Sequence, residues 1–200
     1  MNDQIEWVLS GRCIVYPTST LPALGCIPKS DSLDELYRVK QRSSQMPVSL
    51  GVADLEQAGE LVQIPEDVPM ILDYFPEGSL TIVLRPHSEM DSRLGGNKVA
   101  VRVVSHPIAK SLIQKVGPIT ATSANLSGQA PILSCQTAAM ELSTPEIPVI
   151  GMQGVCKGGE PSTLIAWHTV CDTPESLRIE VIREGKVSSE DVYSWWKKAI

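Results

Sequence analysis

The fold is predicted around Ile119-Thr-Ala-Thr-Ser-Ala-Asn-Leu-Ser-Gly128, the segment in which an apolar run gives way to small polar side chains. Gly117-Pro118 ends the preceding helical pattern, and the residues that follow predict a strand over 116–122. Three polar side chains then alternate through a turn: Ser123, Asn125 and Ser127. Together with free backbone N–H groups they form a candidate site for an anion such as a phosphate, and a purely structural turn is the alternative.

A second group of hydroxyls follows the predicted strand 12–16, which Pro17 halts. The group consists of Thr18, Ser19 and Thr20, at the start of an open segment that runs to Gly25. Ligands of α/β proteins bind beyond the ends of strands, so these side chains are candidates for holding a small polar substrate. A turn held by bonds from side chain to backbone is the alternative at this position.

Basic residues collect where the predicted helix 31–40 ends. Lys40 and Arg42 lie there, followed by the loop from Ser43 to Pro47. Arginine offers a planar fork and lysine a mobile point charge, so the pair could clamp a phosphate. Cations at a helix C-terminus also complement the helix dipole in solvent, and this second interpretation stays open.

Arg102 interrupts an otherwise apolar strand predicted over 99–103. An unpaired charge in the interior of a sheet is strongly destabilising. The sequence therefore predicts that a neighbouring carboxylate or a bound anion accompanies this arginine.

The rest of the chain alternates short strands and helices, which is typical of an α/β fold. The helices are predicted over 2–10, 55–62, 68–75, 106–115, 134–142 and 187–200, and the strands over 48–52, 80–85, 147–150, 161–166 and 177–183. The segment from Gly151 to Gly159 contains four glycines. It is predicted to be flexible, and it either closes over a site or turns a corner.

The composition favours one domain of 200 residues with an aliphatic core, because 42% of the residues are hydrophobic and only 4% aromatic. A formal net charge of -6 argues against a chain that mainly wraps nucleic acid. The five cysteines are odd in number and include no CxxC pair, so they predict neither a disulfide framework nor a zinc site. No apolar run approaches the ~20 residues of a membrane span, and we expect an unexported, cytoplasmic protein with no membrane partner.

Short motifs occur in one order along the chain: Tyr16-Pro-Thr-Ser-Thr20 with Leu24-Gly25, Lys40-x-Arg42 with Pro47, Gly78-Ser-Leu-Thr81, Val99-Ala-Val-Arg102, Ser123-Ala-Asn-Leu-Ser-Gly128, Ser162-Thr163 and Arg183-x-Gly185. Each is weak alone, but in this order they resemble the YrdC/TsaC family of threonylcarbamoyladenylate synthases. The resemblance covers the chain from residue 8 to residue 187. Its most specific part is the family's active-site signature, Lys-x-Arg combined with Ser-x-Asn.

The resemblance implies an α/β fold with a YrdC-like twisted, mostly mixed β-sheet, helices around it and a concave active-site cavity. We expect this domain over 1–187, with a C-terminal helix, 188–200, packed on it. The implied reaction condenses L-threonine, bicarbonate and ATP into threonylcarbamoyl-AMP and pyrophosphate, the first step of tRNA threonylcarbamoyladenosine modification. A separate tRNA-modifying transferase complex would use the product, and weak RNA binding is left open.

The resemblance also implies roles for nine side chains. On the nucleotide side these are Lys40 and Arg42, which would neutralise the triphosphate as catalytic residues, Ser123 and Asn125, which would hold phosphate oxygens, and Arg183. On the threonine side they are Thr18, Thr20, Arg102, which would face the carboxylate, and Ser162. Both Lys40 and Arg42 are expected at the cavity rim, so replacing either is expected to stop pyrophosphate release without unfolding the chain. ATP implies Mg²⁺ as its companion, and no metal site of the protein's own is expected.

The first motif departs from the family pattern, since Ser19 stands where an acidic residue is usual and Pro22-Ala23 where Tyr-Gly is usual. The shape of the threonine pocket is therefore open. A non-catalytic or differently specific relative that binds nucleotide or RNA is the alternative function. A carbamoyl-transfer module for metal-centre maturation would normally carry zinc-binding cysteine pairs, which this sequence lacks.

Overall fold

Two mixed β-sheets with helices around them make up the part of the chain that the computed structural model describes, residues 2–168 and 179–199. The helices are α1 (Asn2–Leu9), α2 (Ser30–Lys40), α3 (Leu55–Gly59), α4 (Asp67–Tyr74), α5 (Pro107–Val116), α6 (Cys135–Leu142) and α7 (Ser189–Ala199). The strands are β1 (Ile14–Tyr16), β2 (Ala23–Gly25), β3 (Leu50–Val52), β4 (Leu80–Leu84), β5 (Val99–Val103), β6 (Ile119–Thr120), β7 (Thr122–Ser123), β8 (Ile150–Gly151), β9 (Thr163–Trp167) and β10 (Ile179–Arg183).

The larger sheet has six strands in the order β10-β9-β4-β5-β3-β6, and the smaller has four in the order β7-β2-β1-β8. Parallel and antiparallel neighbours occur in both. In the larger sheet β4 is parallel to β9 and antiparallel to β5, and in the smaller β1 is parallel to β8 and antiparallel to β2. The α/β class and the mixed pairing are confirmed, with the correction that the strands divide between two sheets.

The segment 119–128 connects the two sheets. β6 pairs with β3 in the larger sheet, and β7 pairs with β2 in the smaller. Between them Ala121 donates its N–H to the Ser49 carbonyl at 2.7 Å, and its carbonyl accepts the Ser49 hydroxyl at 2.7 Å. The single strand predicted over 116–122 is therefore divided, and the polar turn lies beside the junction of the sheets.

The open segment predicted from Thr18 to Gly25 contains a strand that sequence analysis missed. β2 pairs with β1, so residues 17–22 form the loop of a hairpin. Gly25 is needed here, because a Cβ would lie 2.7 Å from the Tyr16 ring and 2.8 Å from the Thr120 carbonyl. The Tyr16 hydroxyl donates to that carbonyl at 2.9 Å and thereby ties the hairpin to the larger sheet.

The core is mainly aliphatic, as the composition predicts, and three tryptophans pack together where α7 meets β9. There α7 buries Val192, Trp195 and Trp196, and the Trp196 ring meets Trp167 edge to face with centroids 5.5 Å apart. The predicted strand 177–183 begins at Ile179 in the described part, and residues 177 and 178 lie outside it. Among the described helices we find none long and apolar enough to cross a membrane.

Candidate functional site

A cavity of about 300 Å³ lies at the junction of the two sheets. Strands of both sheets contribute to its wall: Ala23, Thr81, Ala100, Arg102, Thr122, Ser123, Leu164 and Arg183. Loops add, among others, Thr20, Pro22, Arg42, Asn125, Pro131 and Ser162. Three arginines and no carboxylate are among the lining residues, so the cavity suits an anionic ligand.

Arg102 extends from β5 into this wall and is only 7% exposed. Its Nε and Nη2 donate to the Gly78 carbonyl at 3.1 and 2.8 Å, and Nη2 also reaches the hydroxyls of Thr20 at 3.1 Å and Ser19 at 3.3 Å. Within residues 2–168 and 179–199, no carboxylate forms an ion pair with it, and Nη1 has no hydrogen-bond partner. The prediction that a neighbouring carboxylate accompanies Arg102 is therefore wrong for this part of the chain. The other predicted partner, a bound anion, stays a prediction.

The two threonines of the hairpin loop have different positions. Thr18 is buried behind the wall, where its Oγ1 donates to the Leu21 carbonyl at 2.7 Å and accepts the Thr20 N–H at 3.2 Å. Thr20 lines the cavity and accepts a hydrogen bond from Arg102. The structure thus brings Thr20 to the site and gives Thr18 the turn-stabilising contacts that were the alternative prediction.

The end of α2 separates the two basic residues of the Lys-x-Arg motif. Gln41 adopts a left-handed conformation with φ 49°. The Gln41 N–H donates a hydrogen bond to the Arg38 carbonyl, and the Arg42 N–H donates one to the Tyr37 carbonyl. This is the pattern of a Schellman cap. The chain changes direction at Gln41. Lys40, before this change, faces inward, and Arg42, after it, lies half-buried on the cavity wall.

Lys40 lies behind the polar turn, is 1% exposed and does not line the cavity. Its Nζ donates to the backbone carbonyls of Ser123 and Asn125, the second at 2.9 Å. In return the Ser127 N–H donates to the Lys40 carbonyl at 3.2 Å. The expected position at the rim is therefore wrong for Lys40, which braces the turn through its backbone.

Arg42 does reach the cavity wall, as expected for a residue at the rim. Its Nε donates to the Met46 carbonyl at 3.2 Å and its Nη2 to the Pro47 carbonyl at 3.4 Å. Both acceptors are neutral, so these contacts orient the guanidinium without neutralising its charge.

Ser123 and Asn125 both line the cavity, but they offer different groups to a ligand. The Ser123 hydroxyl has no hydrogen-bond partner among the described residues. Asn125 Nδ2 donates to the carbonyls of Leu126 at 2.9 Å and Gln129 at 2.7 Å, and its Oδ1 is buried without a partner there. Turning the amide over would set Oδ1 against two carbonyl oxygens, so Asn125 presents an acceptor. Both N–H groups of the Asn125 amide are thus used within the turn, and the contact with a phosphate oxygen that the resemblance implies stays a prediction.

Ser162 and Arg183 complete the opposite wall. The Ser162 hydroxyl lies 2.7 Å from the Thr81 hydroxyl, and the backbone carbonyl of Ser162 accepts a hydrogen bond from Arg183 Nη2 at 2.7 Å. The sequence motifs assign Thr81 no role in the site. The signal was the same as for Arg102, a polar residue within an apolar strand, and Thr81 pairs directly with the lining residue Leu164.

Burial, and to a smaller extent neighbouring arginines, lowers the pKa of three basic groups around the cavity. Burial, aided by Arg42, lowers the pKa of Lys40 to about 8. Burial also lowers the pKa of Arg102, where Tyr16 and Cys156 oppose the shift and Arg183 adds to it. The pKa of Arg183 is lowered by burial and then by Arg42. Arginines stay charged at neutral pH, so the site holds an excess of positive charge that a bound anion would relieve.

The chain matches known proteins over most of its length. Residues 6–185 match the protein-family model Sua5_yciO_yrdC, described as Telomere recombination. The chain is 29% identical over 185 residues to the threonylcarbamoyl-AMP synthase of Bacillus subtilis (strain 168), with 90% of this chain and 51% of that protein covered.

Two solved structures are similar over almost the whole chain. The crystal structure of P. abyssi Sua5 complexed with L-threonine matches with a TM-score of 0.82 and 27% identity, covering 96% of this chain and 56% of that one. E. coli YciO matches with a TM-score of 0.77 and 26% identity, covering 95% and 91%. The chain thus spans about half the length of the Bacillus and P. abyssi proteins and most of the length of YciO.

Proposed function

Because the chain belongs to the Sua5/YciO/YrdC family, we propose that it is a threonylcarbamoyl-AMP synthase. The reaction joins L-threonine, bicarbonate and ATP and releases pyrophosphate. The observation that carries the proposal is a cavity wall with Arg42, Arg102, Arg183 and no carboxylate. Every substrate of this reaction brings a negatively charged group, so a wall of this composition complements all three.

The proposed chemistry requires positioning more than a reactive side chain. The threonine amine condenses with bicarbonate, losing water, and gives a carbamate. A carbamate oxygen then attacks the α-phosphorus of ATP, and the bond from that phosphorus to the bridging oxygen breaks as pyrophosphate leaves. Such displacements depend on alignment and charge neutralisation, which fits a site with arginines and hydroxyls and without a nucleophile-base pair.

The nucleotide side of the proposed site consists of Arg42, Arg183 and the polar turn. The repulsion between the two arginines, which contributes to the lowered pKa of Arg183, would be relieved by a triphosphate between them. The unpartnered Ser123 hydroxyl would donate to a phosphate oxygen. Lys40 would not touch the nucleotide. It donates to the backbone carbonyls of Ser123 and Asn125 and would thereby fix the position of the Ser123 hydroxyl, so it is a positioning residue.

Mg²⁺ would enter this site with ATP. No group of three His, Cys, Asp or Glu side chains that could hold a metal occurs in the described residues. Mg²⁺ bound to a nucleotide usually takes most of its ligands from phosphates and water and only one or two from the protein. Asn125 Oδ1, a buried oxygen acceptor without a partner, fits that role. When bound, the ion would neutralise charge on the phosphates.

The threonine side consists of Arg102, Thr20 and the hydroxyl pair of Thr81 and Ser162. Arg102 has used Nε and Nη2 for fixed contacts, which leaves the N–H groups of Nη1 for a carboxylate. The P. abyssi protein was crystallised with L-threonine, which supports an amino-acid subsite in this fold. We assign the carboxylate of L-threonine to Arg102 on these grounds.

The product of the proposed reaction is a mixed carbamic-phosphoric anhydride, which reacts readily with nucleophiles. Its acceptor would be an adenosine of tRNA, reached through a separate transferase complex in the cytoplasm. This acceptor is proposed from the resemblance of the motifs to the YrdC/TsaC family, since the name of the Bacillus relative covers only the synthesis of threonylcarbamoyl-AMP.

Pyrophosphate release from ATP tests the proposal, with bicarbonate present and each amino acid added in turn. We expect release that depends on L-threonine and that falls by at least about 100-fold in Arg42→Met, because a cation on the triphosphate is lost. Arg85→Met, which removes an exposed arginine outside this cavity, is the matched control and should retain activity. Release that is independent of any amino acid, or absent with all of them, would contradict the proposal.

A further inference from the structure

Arg183 is the last residue of β10, and the pairing of β10 with β9 changes register just before it. The first three residues of β10 are in regular antiparallel register with β9. Arg183 then lies opposite Leu164, so Ile182 is an extra residue in β10 and forms a β-bulge. In a continued regular register Ile182 would lie opposite Leu164, and Arg183 would lie opposite Thr163.

This bulge decides which face of the sheet carries the arginine. Successive side chains of a strand point to opposite faces. In β9 the side chains of Thr163 and Ile165 are fully buried, whereas Leu164 between them lines the cavity. Opposite Leu164, Arg183 lies on the cavity face, where its Nη2 donates to the Ser162 carbonyl at 2.7 Å. Without the bulge Arg183 would lie on the face that Thr163 buries in the core.

The neighbouring acid, Glu184, is directed away from the cavity. Its Oε2 accepts the Ser189 N–H at 2.8 Å, at the start of α7. In the part of the chain that the structure describes, no ion pair joins this carboxylate to Arg183. The chain thus sends the cation of the Arg183-Glu184 pair into the cavity and its carboxylate elsewhere, which leaves Arg183 available for an anion.

The buried hydroxyl of Thr163 fixes the turn that follows the bulge. Its Oγ1 accepts the N–H of Gly185 at 3.1 Å and that of Val187 at 2.9 Å, and it donates to the Val187 carbonyl at 2.5 Å. A hydroxyl has one donor and two acceptor positions, so these three bonds use all of them. Thr163 is also fully buried, so its polar group serves the turn and not a ligand.

A close backbone contact holds the same turn at a second point. The Lys186 N–H donates to the Pro161 carbonyl at 2.8 Å. A Cβ at residue 185 would lie 2.2 Å from that carbonyl oxygen, so only glycine fits there. The motifs Ser162-Thr163 and Arg183-x-Gly185, which are far apart in sequence, are therefore two halves of one structure.

We propose that Thr163 is a positioning residue for Arg183: its hydroxyl fixes the turn 184–187, and this turn holds the bulge that directs the guanidinium into the cavity. At a bulge two residues of one strand lie opposite one residue of its partner, so the ladder is locally interrupted. The bonds of Thr163 to Gly185 and Val187 supply the missing restraint directly after Arg183. The consequence for ATP rests on the proposed function, whereas the effect on the position of Arg183 does not.

Titration with ATP tests the consequence for the site. Thr163→Val removes the hydroxyl and keeps the shape of the side chain, and it should raise the Kd for ATP by about tenfold, the effect of losing one hydrogen bond to a charged group. Thr163→Ser keeps the hydroxyl and should bind ATP like the natural protein. An unchanged Kd in Thr163→Val, or an equal rise in Thr163→Ser, would overturn the inference.

Ser143 offers a matched control for the loss of such a hydroxyl. Its Oγ donates to the Val149 carbonyl at 3.0 Å and accepts the Val149 N–H at 2.7 Å, but Ser143 does not line the cavity. Ser143→Ala should therefore leave the Kd for ATP unchanged. A rise equal to that in Thr163→Val would show a general effect of weakened packing and would contradict the inference.

A double variant separates positioning from a general loss of stability. Arg183→Met alone should raise the Kd for ATP by at least about tenfold, because a cation beside the triphosphate is lost. Thr163→Val added to Arg183→Met should raise it no further, because Thr163 acts only through Arg183. If the two effects multiplied in the double variant, Thr163 would not be a positioning residue for Arg183.

A crystal structure and amide exchange of Thr163→Val decide on the turn without reference to activity. Exchange at Gly185 and Val187 should become faster, and Arg183 Nη2 should no longer contact the Ser162 carbonyl. Gly185→Ala displaces the same turn with Thr163 intact and should move Arg183 in the same way, which tests the inference if Thr163→Val does not fold. An unmoved Arg183 would overturn the inference. If the natural protein bound no ATP, the proposed function would be contradicted, and the position of Arg183 in these variants would still decide on Thr163.

Discussion

The guanidinium of Arg102 is removed from water on folding, and the described residues around it supply neutral acceptors and no opposite charge. Such an arrangement does little for stability, because desolvation of the charge opposes the gain from its hydrogen bonds. It is understandable as a preformed site for an anion, since the ligand would supply the missing charge.

Arg102→Met should therefore affect binding more than folding. We expect the Kd for L-threonine to rise by about 10- to 100-fold, and the free energy of unfolding to change by less than about 1 kcal/mol, because lost hydrogen bonds and relieved desolvation offset each other. Titration and urea unfolding measure the two effects, with Arg85→Met as the control for removal of an exposed charge. A loss of stability above about 3 kcal/mol with unchanged binding would identify Arg102 as structural.

Lys40 and Arg42, the two cations of the Lys-x-Arg motif, should differ in how much they contribute to the free energy of unfolding. Lys40→Met leaves the carbonyls of Ser123 and Asn125 without their donor, and we expect a loss of about 1–3 kcal/mol in the free energy of unfolding. Arg42→Met should change it by less than about 0.5 kcal/mol, because its partners are carbonyls at the surface. Equal effects on stability would contradict the bracing role that we give to Lys40.

The pH dependence of stability offers a separate test of Lys40. Its pKa is lowered from 10.5 to about 8 in the folded protein, mainly by burial. Between these values the unfolded chain binds more protons than the folded one, so stability should rise with pH across this window. The difference in unfolding free energy between the natural protein and Lys40→Met should accordingly grow from pH 8 to pH 10. A difference that is independent of pH would show that Lys40 titrates normally.

At the scale of the secondary-structure elements, the end of α2 decides where Arg42 lies, because the chain changes direction between Lys40 and Arg42. Gln41 has a positive φ of 49°, a conformation that costs a residue with a side chain about 1 kcal/mol and glycine much less. Gln41→Gly should therefore raise the free energy of unfolding by about 0.5–1 kcal/mol, measured by urea denaturation. Gln41→Ala is the matched control and should bring no gain, and equal behaviour of the two variants would contradict the Schellman cap.

The sequence could predict most elements but not how the strands divide. Local patterns located β4, β5 and α5 to within a residue or two, because their apolar periodicity is strong. Nothing local distinguishes residues 119–120 from 122–123, since the change of sheet depends on contacts of Ala121 with the distant Ser49. The three-residue strand β2 was missed for a similar reason, because it is too short to show a pattern of its own.

The candidate site shows the same limit at the level of side chains. Motif order was enough to nominate Arg42, Arg102, Ser123 and Arg183, which do meet at one cavity. It could not show that Arg42 reaches the cavity, because this depends on the left-handed Gln41, whereas the inward position of Lys40 continues the buried face of α2 formed by Leu33, Leu36 and Tyr37. Cys13 and Cys26 are also far apart in sequence, and they face each other only because β1 pairs with β2.

At the scale of the whole molecule, an acidic chain presents a basic cavity. The formal net charge is -6, yet three arginines and no carboxylate line the cavity wall. This separation favours small anions that fit the cavity over long polyanions that must approach the acidic surface.

Salt should therefore weaken nucleotide binding more than amino-acid binding. We expect the Kd for ATP to rise by at least about tenfold between about 0.05 M and about 0.5 M salt, because the charges of Arg42 and Arg183 are screened. The Kd for L-threonine, a zwitterion bound at the buried Arg102, should rise by less than about threefold. Equal salt dependence of the two would argue against separate nucleotide and amino-acid subsites.

The identity of the product tests the central claim most directly. The purified protein would be incubated with ATP, L-threonine and ¹³C-bicarbonate, and the nucleotide products would be analysed by mass spectrometry. The proposed function predicts threonylcarbamoyl-AMP that carries one ¹³C atom, and its loss in Arg42→Met. A threonine adduct of AMP without the label, or AMP and pyrophosphate with no adduct, would contradict it.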